Sequence, residues 1–216
     1  MEDLKLMYRR RFNGDEKFRK EMYAVICKDF LQKFVAKNSV VLDVAAGHCE
    51  FINAIEAKQK IALDLNPDVR LYASKDVKCI VSSSSVMNGI KTNSVDVVYC
   101  SNFFEHISKA EITKTIKRMH KVLKKNGQVL IIQPNIRYCY KDYWMFFDHI
   151  TPLDDRSTSE ALELNGFSII KVIPQFLPYT TKSILPKSAL LVSIYLKIPL
   201  LWKIFGGQAF IIAKKV

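Results

Sequence analysis

Two carboxylates and one glycine mark a turn that could bind a small ligand. The apolar run VVLDV contains Asp43 next to its end, and the following run, KIALD, ends on Asp64. Between them lies the turn AAGHC, in which Gly47 stands between Ala45 and Cys49. A dinucleotide site needs glycine at such positions, because a pyrophosphate approaches bare backbone at a helix N-terminus. This turn therefore favours a ligand without phosphates, and Asp64 ends its strand where it can accept two ribose hydroxyls.

Apolar runs that alternate with helical segments predict the elements that position these residues. Strands are predicted at residues 40–44, 60–64, 79–81, 95–100, 128–132, 167–173 and 209–213. One helix is predicted from a capping box at Ser108 and Glu111 to residues 124–127, and another from a capping box at Ser157 and Glu160. This order predicts an α/β fold: a Rossmann-like, seven-stranded, mostly parallel sheet with helices on both faces and an antiparallel last strand. In such a sheet, ligands bind beyond the carboxyl ends of the strands.

The size and composition of the chain suit one folded domain. It has 216 residues, of which 49% are hydrophobic and 25% charged, and this composition excludes a disordered chain. We predict a single domain over residues 1–216, with an N-terminal helical cap at 1–37 and a cofactor-binding core at 38–173. An apolar, basic insertion at 174–206 and the last strand at 207–216 complete it.

The ordered set of motifs resembles the class I S-adenosylmethionine (SAM)-dependent methyltransferases of the type 11 group. Residues 41–43 and Gly47 match the first motif of that family. Residues 94–107 resemble its fourth-strand segment, and residues 123–131 resemble the start of its fifth strand. Segments between 134 and 157 resemble a bacterial subgroup associated with surface-glycan and other sugar pathways.

The resemblance implies SAM as the cofactor and S-adenosylhomocysteine as the product. Asp43, Ala45 and Gly47 would line the methionine and ribose side of SAM. Asp64 would hold the ribose hydroxyls, and Leu65 would touch the adenine. Simpler interpretations also exist, since Asp43 could cap the turn and Asp64 could be a solvated strand end.

Four further polar residues belong to the same implied cofactor site. The family often has an acid after the third strand that binds the adenine amino group. Ser84 and Ser85 take that position here, where a hydroxyl can accept the same bond. Ser101 and Asn102, just past the fourth strand, would face the methyl donor.

Methyl transfer also needs a group that removes a proton from the acceptor. The reaction is an in-line displacement at a sulfonium carbon, so the protein aligns the nucleophile and deprotonates it. His149 is the best candidate for this base, with Asp148 adjacent, and Asn135 completes the candidate catalytic set. The aromatic run at 143–147 could wall the pocket and stack on a sugar ring. Alternatively, Asp148 and His149 only pin the loop after the fifth strand.

No metal site and no exported or membrane-spanning form is predicted. No Cys/His group has the spacing of a zinc site, and Glu105 and His106 are interpreted as structural residues that tie their loop to the following helix. The five cysteines form no CxxC pair, which predicts a reduced cytoplasmic protein. Neither a signal peptide nor a transmembrane helix is predicted.

The charge of the chain points to an anionic partner or to a well-solvated surface. The 33 Lys and Arg outnumber the 21 Asp and Glu, for a net charge of +12, and no acidic residue follows Glu163. The basic segment 109–125 and the basic tail could be solvated faces, or they could suit a phosphate-bearing acceptor or an anionic membrane. The insertion 174–206 could be a core-packed or homodimer-forming helix pair, or a lid in shallow contact with the inner membrane face.

These observations lead to a functional hypothesis with two alternatives. The leading hypothesis is a SAM-dependent methyltransferase that methylates oxygen on a sugar, nucleotide-sugar or glycan precursor. The first alternative is an RNA methyltransferase, which the positive charge favours. Nucleic acid is nevertheless not expected as a partner, because residues 101–104 read SNFF where base-amine enzymes carry an Asp/Asn-Pro-Pro-aromatic motif. The second alternative is a non-catalytic binding protein that keeps the fold.

Overall fold

The computed structural model describes residues 16–179 and 187–216. Its strands, in chain order, are β1 (Val40–Val44), β2 (Gln59–Asp64), β3 (Val77–Val81), β4 (Val95–Ser101), β5 (Leu123–Pro134), β6 (Phe167–Leu177) and β7 (Gln208–Lys215). They form one sheet in the order β3-β2-β1-β4-β5-β7-β6. The pairings among β1 to β5 are parallel, whereas β7 runs antiparallel to β5 and β6. The predicted Rossmann-like sheet with an antiparallel last strand is therefore confirmed.

Helices cover both faces of this sheet. In the described part of the chain they are α1 (Glu16–Asp29), α2 (Glu50–Ala54), α3 (Val69–Tyr72), α4 (Lys109–Val122), α5 (Ile136–Cys139), α6 (Asp155–Glu163), α7 (Ala189–Lys197) and α8 (Pro199–Phe205). Because side chains alternate along a strand, Val41 packs into the core beneath α1 and α2, whereas Leu42 packs into the core beneath α4 and α6. The first core contains Ile26 and Phe51, and the second contains Ile116.

The strand order places a ligand crevice between β1 and β4. The chain builds β1, β2 and β3 outward in one direction and then returns to lay β4 on the other side of β1. The loops that leave β1 and β4 therefore diverge at the carboxyl edge, where open α/β sheets bind their ligands. The turn that begins at Ala45 and the residues that follow Cys100 lie at this switch point.

The start of α6 differs from the prediction. The helix begins at Asp155 with Asp154 as its N-cap, and the capping box consists of Asp154 and Ser157. The Asp154 carboxylate accepts the Ser157 N–H at 2.7 Å, and the Ser157 hydroxyl accepts the Asp154 N–H at 3.0 Å. Ser157 is thus the third helical residue, because an aspartate one turn earlier caps the helix instead. The predicted cap of α4 at Ser108 is present, with Ser108 accepting the Glu111 N–H.

Strands β5 and β6 are longer than predicted. Leu123 already pairs with Val95, and residues 124–127 bulge before Gln128 pairs with Val97, so α4 ends at Val122. Strand β6 continues to Leu177 and includes Pro174, which an edge strand with an irregular register tolerates.

The remaining segments of the prediction are partly described. Within the predicted cap, α1 and a 3-10 turn at Leu31–Phe34 are present, and residues 1–15 lie outside the described residues. Within the predicted insertion, α7 and α8 are present, and residues 180–186 lie outside them. The division into cap, core and insertion stays a prediction. Across 16–179 and 187–216, no helix combines the length and the hydropathy needed to span a membrane.

Candidate functional site

A cavity of about 540 Å³ opens at the switch point of the sheet. Of the nine predicted cofactor-binding residues, five line it, namely Asp43, Ala45, Gly47, Ser101 and Asn102. The predicted base His149 lines the same cavity. Its volume lies within the range of about 300–1,000 Å³ that is typical of small-molecule sites. The structure therefore brings the predicted donor-side residues and the predicted base into one space.

The turn between β1 and α2 has a left-handed backbone at every second residue. The φ angles of Ala45, Gly47 and Cys49 are +58°, +52° and +61°. Only glycine adopts this conformation without a steric cost from Cβ, which is about 1–2 kcal/mol for other residues. A Cβ at Gly47 would meet no atom within 4 Å, so the backbone conformation is what favours glycine there. The chain thus keeps the glycine-type turn while two of its three left-handed positions carry side chains.

Asp64 ties the end of β2 to this turn. One carboxylate oxygen accepts the Gly47 N–H at 2.8 Å, and the other accepts the Asn66 N–H at 2.8 Å. Each oxygen retains a lone pair that could accept a ribose hydroxyl. Asp64 is not part of the cavity lining, and the neighbouring Leu65 is exposed. The predicted ribose and adenine roles of these two residues stay predictions.

Asp43 is a buried acid in an acidic environment. Its side chain is 3% exposed, and burial raises the pKa of Asp43 well above its usual value. The negative charges of Glu50 and Asp64 raise this pKa further, whereas a backbone hydrogen bond from Ile52 lowers it. Glu50 is held by Arg19 of α1 at 2.8 Å. An unpaired negative charge in such a site is costly, so this wall of the cavity favours a positively charged ligand.

Ser84 and Ser85 are not among the residues that line the cavity. The Ser84 hydroxyl lies 2.8 Å from the hydroxyl of Thr115, a fully buried residue of α4. The Ser85 hydroxyl lies 3.5 Å from that of Ser83. The predicted contact with the adenine amino group therefore stays a prediction, and Ser84 has a structural bond to α4.

The residues after β4 meet the N-terminal helix. The Asn102 amide donates to the Ser101 hydroxyl at 3.1 Å, and the hydroxyl of Tyr23 on α1 lies 3.5 Å from the same oxygen. Asn102 has a φ of +48°, and its N–H donates to the Ile132 carbonyl. Helix α1 thus borders the cavity next to Ser101 and Asn102, and Tyr23 is a lining residue that no sequence pattern indicated.

A cluster of imidazoles and carboxylates lies beside the donor side. His106 Nδ1 lies 2.9 Å from Asp148 Oδ2, and His106 Nε2 lies 3.7 Å from Glu105 Oε1. The ring centroids of His106 and His149 lie 4.8 Å apart. Asp148, which precedes the predicted base His149 in the sequence, therefore contacts His106. Glu105 and His106, which the sequence analysis interpreted as structural, both line the cavity.

Backbone hydrogen bonds bring the two parts of this cluster together. The N–H groups of Ile150 and Thr151 both donate to the Glu105 carbonyl, at 2.9 and 3.1 Å. The Tyr143 hydroxyl donates to the Thr151 carbonyl at 2.7 Å. The loop after β5 is thereby fixed on the segment after β4, which places His149 next to His106. The adjacent Glu-His pair after β4 was the sequence signal for this cluster.

Most of the predicted aromatic wall points elsewhere. Within 143–147, Phe146 lines the cavity and its ring lies 5.2 Å from that of His149. Tyr143 is fully buried, whereas Trp144 and Phe147 are exposed. One aromatic ring of this run is therefore available to a ligand in the cavity, and stacking of a sugar on the whole run is not supported by its geometry.

The same cluster contains three side chains of the types that bind metal ions. Among the described residues, Glu105, His106 and His149 have one ligand atom each within 4.8 Å of one another. Tetrahedral zinc with bonds of about 2.1 Å needs ligand atoms about 3.4 Å apart. The side chains would have to move together to close such a site, whereas proton transfer through the cavity needs only imidazole next to carboxylate.

Asn135 has the contacts of a structural residue. It is fully buried, and its amide nitrogen donates to Asp155 Oδ1 at 2.7 Å and to the Pro174 carbonyl at 2.9 Å. Its oxygen accepts the Arg137 N–H and caps α5. Asn135 is not part of the cavity lining, and its catalytic role stays a prediction. It joins the end of β5 to α6 and β6.

The remaining wall of the cavity is apolar and comes from outside the sheet. Helix α1 contributes Phe18, Met22, Tyr23 and Ile26, and the helix pair α7–α8 contributes Leu191, Val192, Ile194, Tyr195, Leu201 and Phe205. The cavity thus has a polar end at the sheet edge and an apolar end between helices. Such a space suits a ligand that has both a polar and an apolar part.

Comparison with known proteins agrees with this geometry. Residues 42–131 match a family model described as a methyltransferase domain. A protein of Methanocaldococcus jannaschii, itself uncharacterized, is 23% identical over 151 residues, which are 69% of this chain and 63% of the relative. The chain thus aligns with less than two thirds of that relative's length.

Solved structures share the fold over nearly the whole chain. A SAM-dependent methyltransferase from Archaeoglobus fulgidus has a TM-score of 0.68 at 21% identity and covers 94% of this chain and 99% of its own. A second SAM-dependent methyltransferase, from Thermotoga maritima, has a TM-score of 0.69 at 14% identity. Its match covers 97% of this chain and 98% of its own chain. Residues 42–131 therefore match a methyltransferase-domain model, and nearly the whole chain has the fold of solved SAM-dependent methyltransferases.

Proposed function

We propose that the protein methylates a hydroxyl oxygen of a sugar or glycan precursor that is joined to an apolar carrier. The observation that carries the proposal is one cavity whose lining includes Asp43 and Gly47, the histidines His106 and His149, and apolar residues of α1, α7 and α8. A donor, a base and an acceptor of mixed polarity can occupy such a space together. Nucleotide sugars fit the polar end but leave the apolar end without a partner.

The donor end suits a cation. SAM carries a sulfonium and an ammonium group, and the acids Asp43 and Glu50 line this end, with Asp64 close enough for its charge to act on Asp43. Ala45 and Gly47 contribute backbone, while Ser101 and Asn102 lie at the end of β4 beside it. When bound, SAM supplies an electrophilic methyl group and leaves as the neutral thioether S-adenosylhomocysteine.

The base is a histidine of the cluster beside the donor end. Asp148 contacts Nδ1 of His106, so this carboxylate holds the tautomer in which Nε2 can accept a proton. The acceptor hydroxyl gives its proton to this imidazole as its oxygen bonds to the methyl carbon. His149, the base that the sequence predicted, lies next to His106 and is the second candidate.

The alternatives from the sequence have weaker support at the site. For RNA, part of the basic segment already has protein partners: Lys114 pairs with Glu111, and Arg118 donates to the carbonyls of Met87 and Ile90. A non-catalytic protein is suggested by the two non-glycine residues of the turn and by the missing acid near Ser84, but Ala45 and Cys49 both keep the left-handed backbone. We place the reaction in the cytoplasm, and all five cysteines are free thiols.

Labelled methyl transfer tests this function. SAM labelled in its methyl group is incubated with a lipid-linked glycan fraction, with nucleotide sugars and with total RNA, and the products are treated with mild alkali. We expect alkali-stable label in the lipid-linked fraction, as a methyl ether requires. Label in RNA alone would establish the first alternative, and calorimetry without any heat of SAM binding would favour the non-catalytic protein.

A further inference from the structure

Helices α7 and α8 present a dense apolar surface to solvent. Seven large apolar side chains in residues 190–205, which we call the 190–205 surface, are exposed, namely Leu190, Leu191, Ile194, Ile198, Leu200, Ile204 and Phe205. The polar face of a surface helix normally points outward. Apolar patches of this kind mark an interaction site.

The helix pair is anchored to the body of the protein through its polar groups. The Ser193 hydroxyl donates to Asp29 on α1 at 2.6 Å, and the Tyr195 hydroxyl donates to the Phe176 carbonyl at 2.7 Å. The Trp202 indole N–H donates to the Tyr195 carbonyl at 2.8 Å. Leu196 is buried, and Val192 and Trp202 pack against the same core, so the helix pair is fixed on the body while the 190–205 surface stays exposed.

The 190–205 surface continues into the cavity. Leu191, Ile194 and Phe205 are exposed to solvent and also line the cavity wall. An apolar molecule could therefore pass from this surface to the cavity along an apolar path. The surface is thus the outer rim of the apolar end of the site.

The charges around this surface select its partner. Lys197 and Lys203 are exposed on the two helices, and no acidic residue follows Glu163 in the sequence. A second copy docked face to face would bring lysines against lysines with no acid from this segment to offset them. An anionic bilayer offers both hydrocarbon for the leucines and isoleucines and negative headgroups for the lysines.

We propose that the 190–205 surface docks the protein on an anionic membrane, with α7 and α8 lying in the plane of the interface. The apolar carrier of the acceptor then moves between bilayer and cavity without crossing water. The docking itself stands on the surface alone, and only the route of the acceptor rests on the proposed function.

Vesicle co-sedimentation without donor or acceptor tests the docking. The full-length protein is mixed with vesicles of phosphatidylcholine, with or without phosphatidylglycerol, at low and high salt. We expect binding to the anionic vesicles that weakens with salt. The double variant Leu200→Glu/Ile204→Glu should bind at least about tenfold more weakly, because it removes two side chains that would enter the hydrocarbon boundary.

Matched variants separate docking from general effects on the surface. Leu200 and Ile204 are 65% and 62% exposed and do not line the cavity, so their replacement should leave folding and SAM binding intact. Leu71→Glu/Leu164→Glu changes two apolar residues that are each 79% exposed elsewhere, and it should bind vesicles like the wild type. Lys197→Gln/Lys203→Gln should lose the preference for anionic lipid, whereas Lys75→Gln/Lys78→Gln should keep it.

Three results would overturn the proposal. One is equal binding of the wild type to neutral and to anionic vesicles. Another is unchanged vesicle binding by the Leu200→Glu/Ile204→Glu variant. The third is a wild-type homodimer in sedimentation velocity that the Leu200→Glu/Ile204→Glu change splits, with no vesicle binding by the wild type. Because SAM binding is measured separately by calorimetry, failure of the docking and failure of the methyltransferase function are distinguishable.

Discussion

His106 Nδ1 and Asp148 Oδ2 lie 2.9 Å apart, although 42 residues separate them along the chain. This contact joins the segment after β4 to the loop after β5 at the middle of the cavity. An imidazole held by a carboxylate on one nitrogen presents its other nitrogen to a substrate. The pair therefore forms the centre of the proposed proton transfer.

Replacing either member of this pair should affect catalysis differently. His106→Asn should lower kcat by about 10²–10⁴-fold, the usual loss on removal of a general base, while SAM binding by calorimetry stays unchanged. Asp148→Asn should lower kcat less than His106→Asn does, because the neutral side chain fixes the orientation and tautomer of His106 less firmly. His120→Asn, outside the cavity lining, is the control. If His106→Asn is fully active, His149 is the general base, and His149→Asn should then show the fall in kcat.

Replacing Asp43 should raise the stability of the ligand-free protein and lower its affinity for SAM. Burial raises the pKa of Asp43 above that of the unfolded chain, so its contribution to stability is present at low pH and is lost as the pH rises through the raised value. Asp43→Asn should therefore raise Tm by a few degrees at neutral pH without ligand and reduce its dependence on pH. The same change should weaken SAM binding by about tenfold or more, because the cation loses a buried charge partner. Thermal unfolding and calorimetry across a pH series check both effects, and a fall in Tm at neutral pH would contradict the sign.

The strained turn should be relieved by glycine. Ala45→Gly should stabilise the fold by about 1 kcal/mol in urea unfolding, because the residue has a φ of +58°. Ala73→Gly is the matched control, since Ala73 has a φ of −71° and should lose about 0.5–1 kcal/mol. If both variants lose the same free energy of unfolding, the backbone at Ala45 is not strained.

Asn135 should behave as a structural residue. Asn135→Ala removes a donor from the Pro174 carbonyl and leaves Asp155 Oδ1 with Arg137, which should cost about 1–3 kcal/mol in free energy of unfolding. At a temperature where the variant is folded, kcat should be near that of the wild type. Asn88→Ala, at an exposed position, should be neutral. A large loss of kcat with normal stability would restore the catalytic role that the sequence predicted.

Much of the fold followed from local patterns. The bounds of β1 agree with the prediction, because an apolar run between polar turns has few other buried conformations. The predicted N-cap of α6 was wrong by three residues, since Asp154 and Ser157 both have side chains that can cap and only the folded chain selects between them. The continuation of β6 through Pro174 depends on its edge position, which is a property of the strand order.

The amino-acid sequence by itself determined the parallel α/β core and the residues that stand at its switch point. Those features depend on periodicity and on turns within a few residues, so Asp43, Gly47, Ser101 and Asn102 could be assigned to one edge in advance. Only the tertiary structure decided that Asp148 contacts His106, that Asn135 is turned into the core, and that α1, α7 and α8 supply an apolar wall. These contacts join segments far apart in the chain, and their partners are selected by packing and by buried hydrogen bonds that no local pattern records.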